Sequence, residues 1–80
     1  MDKLIEDRIN QIIESIMGLD VSTMDNSTKL NTISEWDSFN NLMLISKLQD
    51  EFKINFTPTE IEEAQTIVSI FDLIDKKIAK

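Results

Sequence analysis

A serine hydroxyl becomes a nucleophile only when something removes its proton. This 80-residue chain has no histidine and no cysteine. It therefore lacks the usual base near neutral pH, a thiolate nucleophile and a thiolate metal site. What it does hold is Glu35-Trp36-Asp37-Ser38-Phe39, where a long polar segment meets an amphipathic run. Either Asp37 or Ser38 suits a helix N-cap there, and capping alone would explain the dipeptide. A serine at such a start is also exposed, and the free backbone N–H groups and helix dipole beside it favour an attached phosphodiester. Lacking its own base, that hydroxyl has to be activated by a separate enzyme. The pattern is that of a substrate, with no catalytic residue.

Other chemistries fail on residue type or spacing. Asp20 and Asp25 lack the alternating oxygens and mid-loop glycine of a calcium loop, so no metal site is expected. One glycine cannot build a phosphate-cradling loop. Glu62-Glu63 are neighbours on a solvated helix face. Fifteen acidic against eight basic residues give a net charge of −7. That balance excludes nucleic acid and anionic membranes as natural partners and suits basic protein surfaces. No apolar run approaches membrane-spanning length, and the charged start Met1-Asp2-Lys3 is unlike a signal peptide. A cytoplasmic protein without membrane insertion is expected.

Stepping outward from Ser38, four helices are expected to position it. Leu4, Ile5, Ile9, Ile12, Ile13, Ile16 and Met17 recur at three- and four-residue steps, predicting a helix over Lys3 to Met17. Asp2 suits its N-cap and Gly18 a left-handed stop. Residues 18–37 lack periodicity, with Leu19, Val21, Leu30, Ile33 and Trp36 available to pin the segment across the helices. A second helix is predicted from Asp37 or Ser38 to Phe52, its inner stripe Phe39, Leu42, Ile45, Leu48 and Phe52, with Leu44 on the flank and Asn40, Asn41, Met43, Lys47, Asp50 and Glu51 largely outside it. After the extended link Lys53–Phe56, Thr57-Pro58-Thr59-Glu60 predicts a capping box opening a short helix to Ala64. Thr66 caps a last helix with Ile67, Ile70, Phe71, Ile74 and Ile78 on one face and Lys76, Lys77 and Lys80 near its end. The fold expected is all-α, one four-helix bundle over residues 1–80 with three long helices and one short third helix.

With these elements in place, the whole chain resembles the acyl carrier protein family, including its peptidyl and aminoacyl carriers. The likeness is carried by Trp36-Asp37-Ser38-Phe39, then Leu42, Leu44, Ile45, Leu48 and Phe52, then Pro58 and the last amphipathic helix. The family's Asp-Ser-Leu signature reads Asp37-Ser38-Phe39 here. The resemblance implies that Ser38 bears a covalent 4′-phosphopantetheine arm derived from coenzyme A. A phosphopantetheinyl transferase would place it with the help of magnesium and of Asp37. Acyl or aminoacyl groups would then ride as thioesters between a loading ligase or transferase and downstream enzymes. The carrier itself would be no enzyme, and would work as a free monomer in trans.

The departures narrow the expectation. Relatives serving fatty-acid synthesis resemble one another in an acidic second helix, whereas Asn40, Met43 and Gln49 stand here where acids are usual, and Lys47 is added. Asp50 and Glu51 remain. Phe39 and Met43, four residues apart, pack on each other or serve as apolar contacts for a partner. The partner-docking residues expected are Phe39, Met43, Asp50 and Glu51, in a specialised pathway distinct from central fatty-acid synthesis. The competing expectation is a helical adaptor with no prosthetic group.

Overall fold

The computed structural model describes residues 3–25 and 27–78. The expected caps and charges at Asp2 and Lys80 lie outside them. Four helices follow in order, α1 (Lys3–Met17), α2 (Ser38–Phe52), α3 (Pro58–Glu63) and α4 (Ile67–Ile78), with no strand among the described residues.

α1 buries Ile9, Ile12, Ile13 and Met17, with Ile5 and Ile16 partly covered. Leu4, expected on that face, is exposed. Gly18 ends the helix with φ at +70° and donates its N–H to the Glu14 carbonyl at 2.9 Å, a geometry that a β-carbon disfavours.

The segment that lacks periodicity is neither loose nor fully irregular. Two 3-10 turns, Val21–Thr23 and Leu30–Thr32, fold it over the bundle. Val21, Leu30 and Trp36 are buried and Leu19 and Ile33 partly so, which pins the segment across the helices as expected of these apolar residues. Its backbone groups find partners away from the segment. Val21 N–H donates to Glu14 Oε2 at 3.0 Å, and Leu30 N–H to the Gln65 carbonyl at 2.8 Å. A buried amide left without a partner would cost more than the turn gains, so these bonds permit the burial of Val21 and Leu30.

α2 corrects the expected stripe. Leu44 and Leu48 are fully buried and Ile45 nearly so, whereas Phe39 and Leu42 are 70% and 61% exposed. The reason is angular. Nine residues of helix carry Phe39 about half a turn away from Leu48. The face toward α1 and the core runs through Asn41, Leu44, Ile45, Leu48 and Phe52. The helix ends on Lys53, in the left-handed region at φ 55°, whose N–H and that of Ile54 both reach the Gln49 carbonyl. The Gln49 side chain accepts the Phe56 N–H at 2.9 Å, fixing the turn toward α3.

α3 shows the predicted capping box: Thr57 Oγ1 accepts from Glu60 N–H at 3.1 Å and Glu60 Oε1 from Thr57 N–H at 2.8 Å. It stops at Glu63, with Ala64 as its C-cap, and buries no residue fully. α4 begins under Thr66, whose Oγ1 accepts the Ser69 N–H at 3.0 Å, and buries Ile67, Ile70 and Ile74. Lys77, in its last turn, reaches back to Glu60 at 2.8 Å and lies 5.7 Å from the Phe56 ring centre. The fully buried side chains Ile9, Ile13, Leu44, Leu48, Ile67 and Ile74 come from α1, α2 and α4. These three form the body of the bundle, with α3 laid against it.

Candidate functional site

Ser38 is the first residue of α2 and is exposed. The cap is Asp37, in extended backbone geometry, with Oδ1 accepting from Asn40 N–H at 2.8 Å and its carbonyl from Asn41 N–H at 2.8 Å. The sequence left the cap open between the two residues, and the geometry assigns it to Asp37. Ser38 Oγ has no hydrogen-bond partner among the described residues. At a helix start the N–H groups of Ser38 and Phe39 have no acceptor within the helix, so unpaired donors surround a free hydroxyl.

Two asparagines clasp the approach to Ser38. Asn40 Nδ2 donates to the Glu35 carbonyl at 2.9 Å, and Trp36 Nε1 donates to Asn41 Oδ1 at 2.9 Å. With the Asp37 cap, these bonds tie residues 35–37 to the first turn of α2. The buried Trp36 ring anchors the same segment in the core. Beside Ser38 opens a groove of about 210 Å³, lined on one side by Trp36 and Asn41 and on the other by Ile61, Ala64 and Gln65. No group of three or more potential metal-ligating side chains occurs among the described residues.

The fit to a phosphopantetheine arm can be judged from this geometry. A phosphodiester on Ser38 Oγ would meet free backbone donors and the positive end of the α2 dipole. The hydroxyl is accessible and uncommitted, and no neighbouring base competes for its proton. A family model described as "Phosphopantetheine attachment site" matches residues 7–74. The chain belongs to the acyl carrier protein family. A protein named acyl carrier protein from Buchnera aphidicola subsp. Baizongia pistaciae (strain Bp) is 34% identical to it over 74 residues, covering 92% of this chain and 95% of that relative. No solved structure gives a significant match. The family's members are carriers and not enzymes, bear covalent 4′-phosphopantetheine, and serve partner enzymes. The arm supplies a terminal thiol, the sulfur chemistry that this cysteine-free chain lacks.

The remaining sequence-predicted residues of the carrier separate in space. Phe39 and Met43 are exposed and share one shallow apolar groove with Leu42 and Asp50 of α2 and Ile16 of α1. Glu51 points elsewhere, accepting from Arg8 Nη2 of α1 at 2.9 Å. The hydrogen bond and charge of Arg8 hold the Glu51 carboxyl below its ordinary range, and Glu51 raises Arg8 in turn. Asn41 is the residue that sequence reasoning set outside the stripe. Its signal was available: an amide at the inward position three residues before Leu44, close to the chain's one tryptophan.

No helix among the described residues is long and apolar enough to cross a membrane.

Proposed function

We propose that residues 1–80 act as one carrier domain whose attachment site is Ser38, and that its cargo belongs to a specialised acyl or aminoacyl pathway. The observation that carries the site is the free, exposed Ser38 hydroxyl at the α2 start, with the capping role taken by Asp37. Asp37 Oδ1 is committed to Asn40 N–H, which leaves the second carboxylate oxygen to be recognised by a transferase and its metal. Co-expression with a broad-specificity phosphopantetheinyl transferase, followed by intact mass, tests the site. One phosphopantetheine is expected on the wild type and none on Ser38→Ala. Equal gain by the variant would remove Ser38 from the role.

The specialised pathway rests on the outer face of α2. Asn40 and Gln49, which stand where acids are usual in fatty-acid relatives, are engaged in bonds to Glu35 and Phe56. The Phe39–Leu42–Met43 surface beside Ser38 is apolar, with Asp50 at its edge and Lys47 among its lining. A partner for this face carries apolar side chains opposite Phe39 and Met43 and a cation opposite Asp50. Glu51, tied to Arg8, contributes to docking only if that pair opens. Loading of this chain by the standard fatty-acid enzymes as efficient as their loading of the cell's own fatty-acid carrier would overturn the specialised reading.

A further inference from the structure

The groove beside Ser38 has a mixed wall, with apolar Leu30, Trp36, Ile61 and Ala64 beside polar Asn31, Asn41 and Gln65, and one hydrogen-bonded pair stands in it next to Ser38. Trp36 and Asn41 line it, hydrogen bonded at 2.9 Å, and Trp36 with Leu30 belongs at the same time to the buried core. Trp36 and Leu30 are thus shared between the groove wall and the core. We infer that the Trp36–Asn41 pair is a stop that sets cargo length: the group carried on Ser38 stays in the groove, and the carrier serves short acyl groups and not long alkyl chains. The inference deepens the proposed function and rests on Ser38 as the attachment site.

Asn41 sits three residues after Ser38, so a chain running inward along α2 meets the pair within one helical turn. Passing it means separating the indole N–H of buried Trp36 from the amide oxygen of half-buried Asn41. An alkyl chain offers neither group a replacement partner. Beyond the pair, Leu44, Leu48, Ile67 and Ile74 are fully buried, and making room for a long chain means displacing close-packed side chains. The groove itself mixes apolar Leu30 and Ile61 with polar Asn31 and Gln65. Such a lining suits a small acyl group bearing a carbonyl or other polar substituent.

The test uses Trp36 as reporter, since it is the single tryptophan. The full chain is loaded with acetyl-, butanoyl-, octanoyl- and dodecanoyl-phosphopantetheine by a promiscuous transferase, and intact mass verifies each form. A failure to load strikes the attachment reading; the stop is judged on the loaded forms. Expected for the wild type are a Trp36 emission shift that is complete by the butanoyl form and grows no further with octanoyl or dodecanoyl, a flat melting temperature along the series, and thioester cleavage by hydroxylamine equal within about twofold, because the chain stops at the pair and never enters the core. In Trp36→Phe/Asn41→Leu, which replaces both partners by apolar groups, the octanoyl thioester becomes protected by about fivefold or more. If that variant does not fold, Asn41→Ala takes its place. Overturning results are a wild type whose emission, melting temperature and protection rise steadily with chain length, or a folded variant that protects no better than wild type.

Discussion

Asp37 alone caps α2: it satisfies the Asn40 amide and leaves the Ser38 hydroxyl unengaged, as the proposed attachment requires. The capping loss expected of a serine cap therefore belongs to its neighbour. Asp37→Ala should lower stability by about 1 kcal/mol in urea denaturation, while Ser38→Ala stays within about 0.5 kcal/mol of wild type. A larger loss in Ser38→Ala would mean that the hydroxyl caps after all. Two backbone positions test the same kind of local argument. Gly18 and Lys53 both occupy the left-handed region, and space around Gly18 is open. Gly18→Ala then costs about 1 kcal/mol from backbone conformation alone, whereas Lys53→Gly relieves that strain and offsets it with chain entropy, a net gain below about 1 kcal/mol. The glycine was legible as a helix stop because its residue type announces the conformation. Lys53 was not, because no side-chain property marks a lysine for that region; its conformation follows from two amides converging on the Gln49 carbonyl.

Among the elements, α3 depends most on contacts outside itself. None of its residues is fully buried, and it is fastened by its capping box and by Lys77 of α4. Glu60 takes part in both. Its carboxyl is held below the ordinary value of 4.5, first by the Lys77 hydrogen bond and then by that of the Thr57 amide. A carboxyl depressed in the folded state binds a proton less readily there than in the unfolded chain. Its contribution is complete above the unfolded pKa and is lost as pH falls through the folded one. Wild type should thus exceed Glu60→Gln in melting temperature near neutrality, and the gap should close as pH falls below the ordinary value of 4.5. A gap that is constant with pH would show that the charge on Glu60 is not what fastens α3. The capping box was readable because its four residues are consecutive, while the Lys77 partnership depends on how α4 returns and leaves no mark in local sequence. α2 shows the opposite difficulty. Its apolar residues surround the helix, so several stripes can be drawn, and choosing the one through Phe39 and Leu42 misplaced both. Asn41 looked polar and therefore outward; its hydrogen bond to Trp36 is what makes its inward position tolerable.

For the whole molecule, small size makes the distinction between the two apolar faces of α2 consequential. A domain of this length buries a limited share of its surface and has a total stability of about 5–15 kcal/mol at most. Leu48 lies with Ile9, Ile13 and Ile74 in the shared interior of α1, α2 and α4. Leu48→Ala should cost about 2–5 kcal/mol, a large share of that total, because the three helices cannot all close over the space left behind. On the opposite face, Phe39, Leu42 and Met43 present apolar surface to solvent although the chain has ample charge to cover it. If that surface serves partners and not the fold, Phe39→Ser/Leu42→Ser leaves the urea midpoint within about 0.5 kcal/mol of wild type. The same double variant should still accept phosphopantetheine on Ser38 while losing delivery to the native partner enzyme, since a central apolar contact is lost. A drop in stability comparable to that of Leu48→Ala would instead put Phe39 and Leu42 in the core and remove the docking face. If the partner presents a basic surface, the net charge of −7 would steer the encounter at longer range. Raising salt should then slow association, and if the Phe39–Met43 surface is the contact, the dissociation rate should change little.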